Sequence, residues 1–163
     1  MRPPRLAQLP GSKPRPPESW RSKPPWPALS ALSPLPSLRR WAEKHPEEWG
    51  HAFPAGELER IARYCAQAET PVRSADDVRL LLAGEGWQTD ARLARALQPG
   101  LMRLAARYLL SAKAGERPYD PVARFHLGNG ARVERLNPLA DTAPRGLQQS
   151  YGLMVNYLYD PDA

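Results

Sequence analysis

Cysteine is almost missing from this chain. Cys65 is the only one in 163 residues, which excludes an intramolecular disulfide framework and any CxxC metal site and suits a reducing compartment. Histidine is nearly as scarce: His45, His51 and His126 are the full set, with no HxxH or HExxH spacing among them, so no metal motif is expected. No apolar run approaches the ~18 residues that a membrane span requires, and the start lacks the apolar stretch of a secretory signal. That start is Arg-rich and acid-poor, as transit peptides are, but its prolines forbid the amphipathic helix such peptides form. The expectation is a soluble, cytoplasmic product with no membrane partner.

What the chain has in excess is proline, and it is unevenly spread. Eleven of the 20 prolines fall in the first 36 residues, so residues 1–27 read as a proline-rich, basic, disordered head without a core of its own. The remaining stretch, 28–163, is long enough for one domain. Charge divides the same way. Six Lys/Arg stand against Glu18 alone in residues 1–27, leaving +1 of the formal +6 for the rest. A basic tail attracts phosphates weakly, but no interleaved basic and aromatic stripe follows that would read bases. A specific nucleic-acid partner is therefore not expected.

Periodicity places helices through the middle of the chain. In "PAGELERIARYCAQA", Leu58, Ile61, Ala62 and Cys65 share one helical face, which makes Cys65 a small core residue. Ser74 opens a second helix with a Ser-x-x-acid capping pattern, stopped by Gly84. Thr89 is expected to cap "DARLARAL", and Pro99 to start a further helix ended by Gly115 and Pro118. Asp120 as N-cap, Pro121 in the first turn and Gly128 as C-terminal cap make "PVARFHL" about two helical turns. "ARVERLN" (131–137) and "SYGLMVNYLY" (150–159) then read as strands, the second apolar on both faces. The fold class is α+β. Two strands make a marginal sheet, so another partner strand is required.

Few residues in this pattern could do chemistry. His45 and His51 lie in the polar connector "EKHPEEWGHAF" and read as solvated loop residues. His126, between Phe125 and Leu127 near a helix end, is open to two readings, a satisfied core histidine or an acid/base group. Ser33, before Pro34, is biased to an extended backbone. Nothing in the spacing alone unites Ser33 with His126.

A family resemblance unites them. "SALSPLPSLRRW" resembles the "LSPIPGFxxW" segment of malonyl-CoA decarboxylases. "DPVARFHLGNGARVERLNPLADTAPRGLQQSYGLMVNYLY" is similar to that family's C-terminal "NPVAxFHLxNGAxxxRINWxADxSxxGxxxSxGLMxNYxY", about forty residues in order. "DDVRLLLAGEGWQTDARLARALQPGLMRLAARYLL" resembles the helical stretch between them. The chain departs from the family pattern at Ser37 (glycine), Pro138 (tryptophan) and Tyr151 (a small residue).

The resemblance implies a sheet of the GCN5-related acetyltransferase (GNAT-like) type, of which 28–163 would form the C-terminal part, an incomplete acyltransferase fold. It implies malonyl-CoA as substrate, converted to acetyl-CoA and CO2 in fatty-acid or malonate metabolism, with Ser33 and His126 as the catalytic pair. It implies no metal and no cofactor beyond the coenzyme A of the substrate, and a homo-oligomer for a full-length form. No segment matches the family's pyrophosphate-cradling loop, so coenzyme A contacts are not assigned and the chain reads as an N-terminally truncated member. Two further readings are an inactive remnant or interaction module of that family, and a basic-tailed nucleic-acid binder.

Overall fold

A computed structural model describes residues 29–65 and 71–160. The proline-rich head, the tail of the helix expected through residue 68, and residues 161–163 lie outside these. The described residues form the expected mixture of helices and a small antiparallel sheet.

The order begins with β1 (Leu29–Pro34), followed by α1 (Leu38–Lys44), α2 (Pro46–Ala52), α3 (Ala55–Tyr64) and α4 (Ala75–Ala83). A short 3-10 turn, Trp87–Thr89, leads into α5 (Ala91–Ser111), a hairpin of β2 (Lys113–Ala114) and β3 (Arg117–Pro118), and α6 (Pro121–Gly128). β4 (Arg132–Asn137), α7 (Pro144–Ser150) and β5 (Met154–Tyr159) complete it.

The core lies in the helical body. Leu38 and Trp41 of α1, Trp49 of α2, Ile61 of α3, Val78 and Leu82 of α4 and the stripe Leu97–Leu101–Leu104–Tyr108 of α5 are all buried. Cys65 is buried at the C-cap of α3, a free thiol. Arg107 of α5 pairs with Glu48 of α2, and Arg103 with Glu57 of α3, tying three helices along one side. Ser74 caps α4 with Asp77 reciprocating, as the sequence pattern predicts.

Several expectations are corrected here. The connector "EKHPEEWGHAF" is not a loop: Pro46 opens α2, and the burial of Trp49 and Ala52 outweighs its polar composition. His45 is not a solvated loop residue. Its Nδ1 lies 2.7 Å from the Trp41 carbonyl and its ring stacks on Trp41 at 5.1 Å. His51 is exposed, but on α2. Asp90 rather than Thr89 caps α5, accepting from the N–H groups of Arg92 and Leu93.

α5 is one helix of 21 residues with Pro99 inside it, not two. A proline there removes one backbone hydrogen bond and crowds the preceding turn. Continuous burial from Leu93 through Leu109 on one stripe outweighs that loss. Gly100 makes the crossing possible, since a Cβ there would lie 2.1 Å from the buried Phe53 ring. The helix stops at Ser111, before Gly115, whose φ of 69° belongs to the β2–β3 turn.

The missing partner strand is β1. The sheet order is β1-β5-β4, all antiparallel, with Ser33 opposite Val155 and Ala31 opposite Tyr157. β5 is shorter than expected, because Ser150 ends α7 and the positive φ of Tyr151 (54°) and Gly152 (77°) turns the chain first. On the face bearing Ser33, Val155 and Tyr157, burial is nearly complete. The other face is only half covered, with Leu32 53 % exposed, and so is not the apolar covered face expected for β5. A polar ladder crosses it: the Asn137 amide donates to Asn156, the Asn156 amide to Ser30, and Ser30 to Glu134.

Candidate active site

The two residues that spacing alone could not unite are in contact. Ser33 Oγ lies 3.0 Å from His126 Nε2, across 93 residues of chain. Extended backbone at "SP" places Ser33 in β1, where pairing with β5 turns its side chain onto the covered face. α6 lies over that face and brings His126 down onto it.

α6 is built by strong local signals. Asp120 accepts from the N–H groups of Val122 and Ala123, satisfying two of the free donors at the helix start, and Pro121 fits the first turn. At the other end Gly128 is not the cap. Asn129 is the C-cap and Gly130, at φ 88°, supplies the left-handed turn. The N–H groups of Asn129 and Ala131 both reach the His126 carbonyl, at 3.1 and 3.0 Å.

The imidazole is held on its second nitrogen too. His126 Nδ1 lies 2.6 Å from the Tyr159 hydroxyl, and its ring stacks on Tyr157 at 4.4 Å with the planes 18° apart. Tyr157 is fully buried and its hydroxyl has no partner among the described residues. Burial, reinforced by the nearby Asp120 and Tyr159, pushes that hydroxyl well above the ordinary tyrosine value. Burial also raises Tyr159. Both phenols therefore stay protonated near neutral pH.

The expected apolar bracket around His126 is corrected. Phe125 is 64 % exposed and its ring meets the imidazole at a steep angle of 77°. Successive helix residues diverge by about 100°, so the ring's real surroundings are the two tyrosines of β5. Sequence reasoning missed Tyr159 in this role. The signal was there, since alternate positions 157 and 159 put two polar-tipped aromatics on one strand face.

This arrangement can move a proton in either direction. With Nδ1 accepting from Tyr159, Nε2–H donates to Ser33. With Nδ1–H donating to Tyr159, Nε2 accepts the Ser33 proton. When the ring is cationic both nitrogens donate, and Nε2–H becomes the deliverable proton.

Two other depressions lie elsewhere. An open groove of about 450 Å³ between α3 and α5 is lined by Arg60, Tyr64, Arg92 and Arg95. A cavity of about 280 Å³ is lined by Trp87, Leu101, Pro138, Leu139, Tyr151 and Leu153 among others. Neither includes Ser33 or His126. The second is lined by two of the three family departures, Pro138 and Tyr151. Tyr151 packs edge-on to Trp49 at 5.9 Å beneath the Arg39 guanidinium.

The family model of the malonyl-CoA decarboxylase C-terminal domain matches residues 20–163. The chain belongs to the malonyl-CoA decarboxylase family. Mitochondrial malonyl-CoA decarboxylases of Anser anser anser and Rattus norvegicus are 36 % and 39 % identical to it over 138 residues, 81 % of this chain. Those 138 residues are 26 % and 27 % of the two relatives. Among solved structures, malonyl-CoA decarboxylase from Cupriavidus metallidurans matches with a TM-score of 0.63 at 37 % identity, over 90 % of this chain and 35 % of that one. The Rhodopseudomonas palustris enzyme matches with a TM-score of 0.60 at 41 % identity, over 82 % and 27 % respectively. The chain thus spans about a quarter to a third of the relatives it matches.

Proposed function

We propose that this chain carries the proton-delivering part of a malonyl-CoA decarboxylase site, with His126 as general acid, Ser33 as its partner and Tyr159 holding the imidazole. One observation carries the reading: His126 is bonded on both ring nitrogens, to Ser33 at 3.0 Å and Tyr159 at 2.6 Å. Together the two bonds fix the orientation of the ring and aim Nε2 at Ser33, as an acid/base histidine requires.

The chemistry follows from the electrons. When the malonyl C–C bond breaks, CO2 leaves and the bonding pair stays behind as an enolate delocalised onto the thioester oxygen. The site must stabilise that oxygen and protonate the α-carbon. Imidazolium Nε2–H delivers the proton, while Nδ1–H remains donated to Tyr159. The Ser33 hydroxyl, beside Nε2, holds or polarises the acyl group. Ser33 is buried, and exclusion of water strengthens both contacts as the substrate carboxylate loses its charge.

The same proposal extends to fatty-acid or malonate metabolism, to a GNAT-like reading of the sheet and to homo-oligomeric assembly of a full-length form, all on the family resemblance. A cytoplasmic location rests on the sequence reading alone, whereas the goose and rat relatives are mitochondrial by name. A second reading is an inactive remnant or interaction module of the family.

Acetyl-CoA formation from malonyl-CoA by the purified chain separates these readings. His126→Asn and Ser33→Ala are each expected to lower turnover by about a hundredfold or more. Turnover indifferent to both substitutions rejects the pair, and a folded chain without turnover supports the second reading.

A further inference from the structure

Two buried polar residues, Asp120 at the N-cap of α6 and Tyr108 of α5, take no part in the chemistry above. Asp120 is 1 % exposed. Its Oδ1 accepts from two backbone N–H groups at 2.9 Å, and its Oδ2 accepts from the Tyr108 hydroxyl at 2.7 Å. A buried carboxylate is costly unless its oxygens are well bonded. An exposed Ser or Asn could cap α6 without that burial, so capping alone does not account for the link to Tyr108.

Tyr108 also touches the element on the Ser33 side. It is fully buried in α5, the longest described helix, and its ring lies 5.3 Å from that of Trp41 in α1. α1 follows β1 after a three-residue link, and Pro34 and Pro36 restrict the backbone between Ser33 and α1. One side chain therefore braces the arm that carries Ser33 and bonds the start of the arm that carries His126. His126 lies six residues along α6 from Asp120, about 9 Å at helical rise, so a shift of the helix start is transmitted to the imidazole.

From this we infer that Tyr108 and Asp120 are positioning residues: together they set the distance between Ser33 Oγ and His126 Nε2 by fixing α6 against the α1 side of the fold. The inference rests on the reading of Ser33 and His126 as the acting pair. Displacement of a reacting group by ~1 Å can cost about a hundredfold in rate, so the tether acts where a small slip is most expensive.

The test uses the whole chain labelled with 15N, with the His126 ring nitrogen signals as one readout and kcat and KM for malonyl-CoA as the other. Tyr108→Phe keeps the ring on Trp41 and removes the hydroxyl. It is expected to shift the His126 ring signals and lower kcat about tenfold, with KM changed less than twofold. Asp120→Ala should shift them further, and Asp120→Asn, whose amide oxygen keeps the cap while its NH2 faces the Tyr108 hydroxyl and donates to the phenol oxygen, should restore most of the native signals. Unchanged ring signals in folded Tyr108→Phe overturn the inference. So does an Asp120→Asn chain as perturbed as Asp120→Ala, which also decides the matter if Tyr108→Phe does not fold. The ring signals answer the question even in a chain without turnover. If His126→Asn leaves turnover intact, the acting-pair reading fails, whatever the ring signals say of the tether.

Discussion

The helical body and the sheet with α6 differ in what they bury. The body, α1 through α5, buries Trp41, Trp49, Phe53, Ile61, Leu82, Leu97 and Leu104, and ion pairs along its side link α5 to α2 and α3. The sheet side buries polar groups among aromatics: Ser33 and Asp120 are inside, Tyr157 stacks under His126, and Leu32 is left half exposed on the opposite face. Apolar area stabilises at roughly 25 cal/mol per Å², whereas a buried hydrogen bond nets only about 1 kcal/mol after its desolvation. The difference teaches a division of labour. The body supplies stability, and the sheet side spends some of it to hold polar groups in place.

The sharpest way to break that comparison is at His126. His126→Asn should cut turnover by about a hundredfold to ten-thousandfold while moving the melting temperature, read by calorimetry, less than a core change in the body does. A large loss of stability with it would erase the division.

Gly100→Ala is the reciprocal change. The new Cβ would lie 2.1 Å from the Phe53 ring, which is 1 % exposed and stacked on Trp49. Overpacking of this kind costs about 1–3 kcal/mol, so the melting temperature should drop by several degrees. The His126 ring signals should stay where they are.

Tyr159→Phe sharpens the sheet side. Removing the Nδ1 partner forfeits a contact worth about 1 kcal/mol, and kcat should fall about tenfold with the fold intact. A turnover equal to wild type would show that the imidazole needs no second partner.

The smallest expected effect is on the body in acid. The hydrogen bond from Arg107 holds the Glu48 carboxyl below its ordinary value of 4.5, against the opposing effect of burial. The folded state therefore favours the ionised form. The stabilisation is complete above pH 4.5 and is lost as pH falls through the lower folded value. Arg107 is 38 % exposed on its side chain, which reduces the effect to about 0.5 kcal/mol. Glu48→Gln should flatten the stability profile below pH 4.5 by that amount, measured by urea titration across pH.

Local signals were the legible part of this sequence. The capping box at Ser74 and the Asp120–Pro121 start of α6 depend on residues within a turn of one another, and they read correctly. Continuity through Pro99 was not legible, because it depends on Phe53 meeting Gly100 from another helix. α2 was hidden for the same reason, since Trp49 buries against partners that a polar stretch does not announce. Contact between Ser33 and His126 needs β1, β5 and α6 together, and only the family resemblance put the two residues side by side in advance. Tyr159 was visible as one of two alternate aromatics on a strand face, but its bond to His126 was not, since the partner of a hydroxyl group lies elsewhere in the chain.

His126 is held at four points: its carbonyl by two amides, and its two ring nitrogens by Ser33 and Tyr159. Beneath it the Tyr157 ring closes off one face. A side chain so confined has almost no rotamers left to search, so its entropy was surrendered during folding rather than at the moment of reaction. Under the role proposed for His126, the waiting time before proton transfer is then set by the arrival and posture of the acyl group, not by the imidazole.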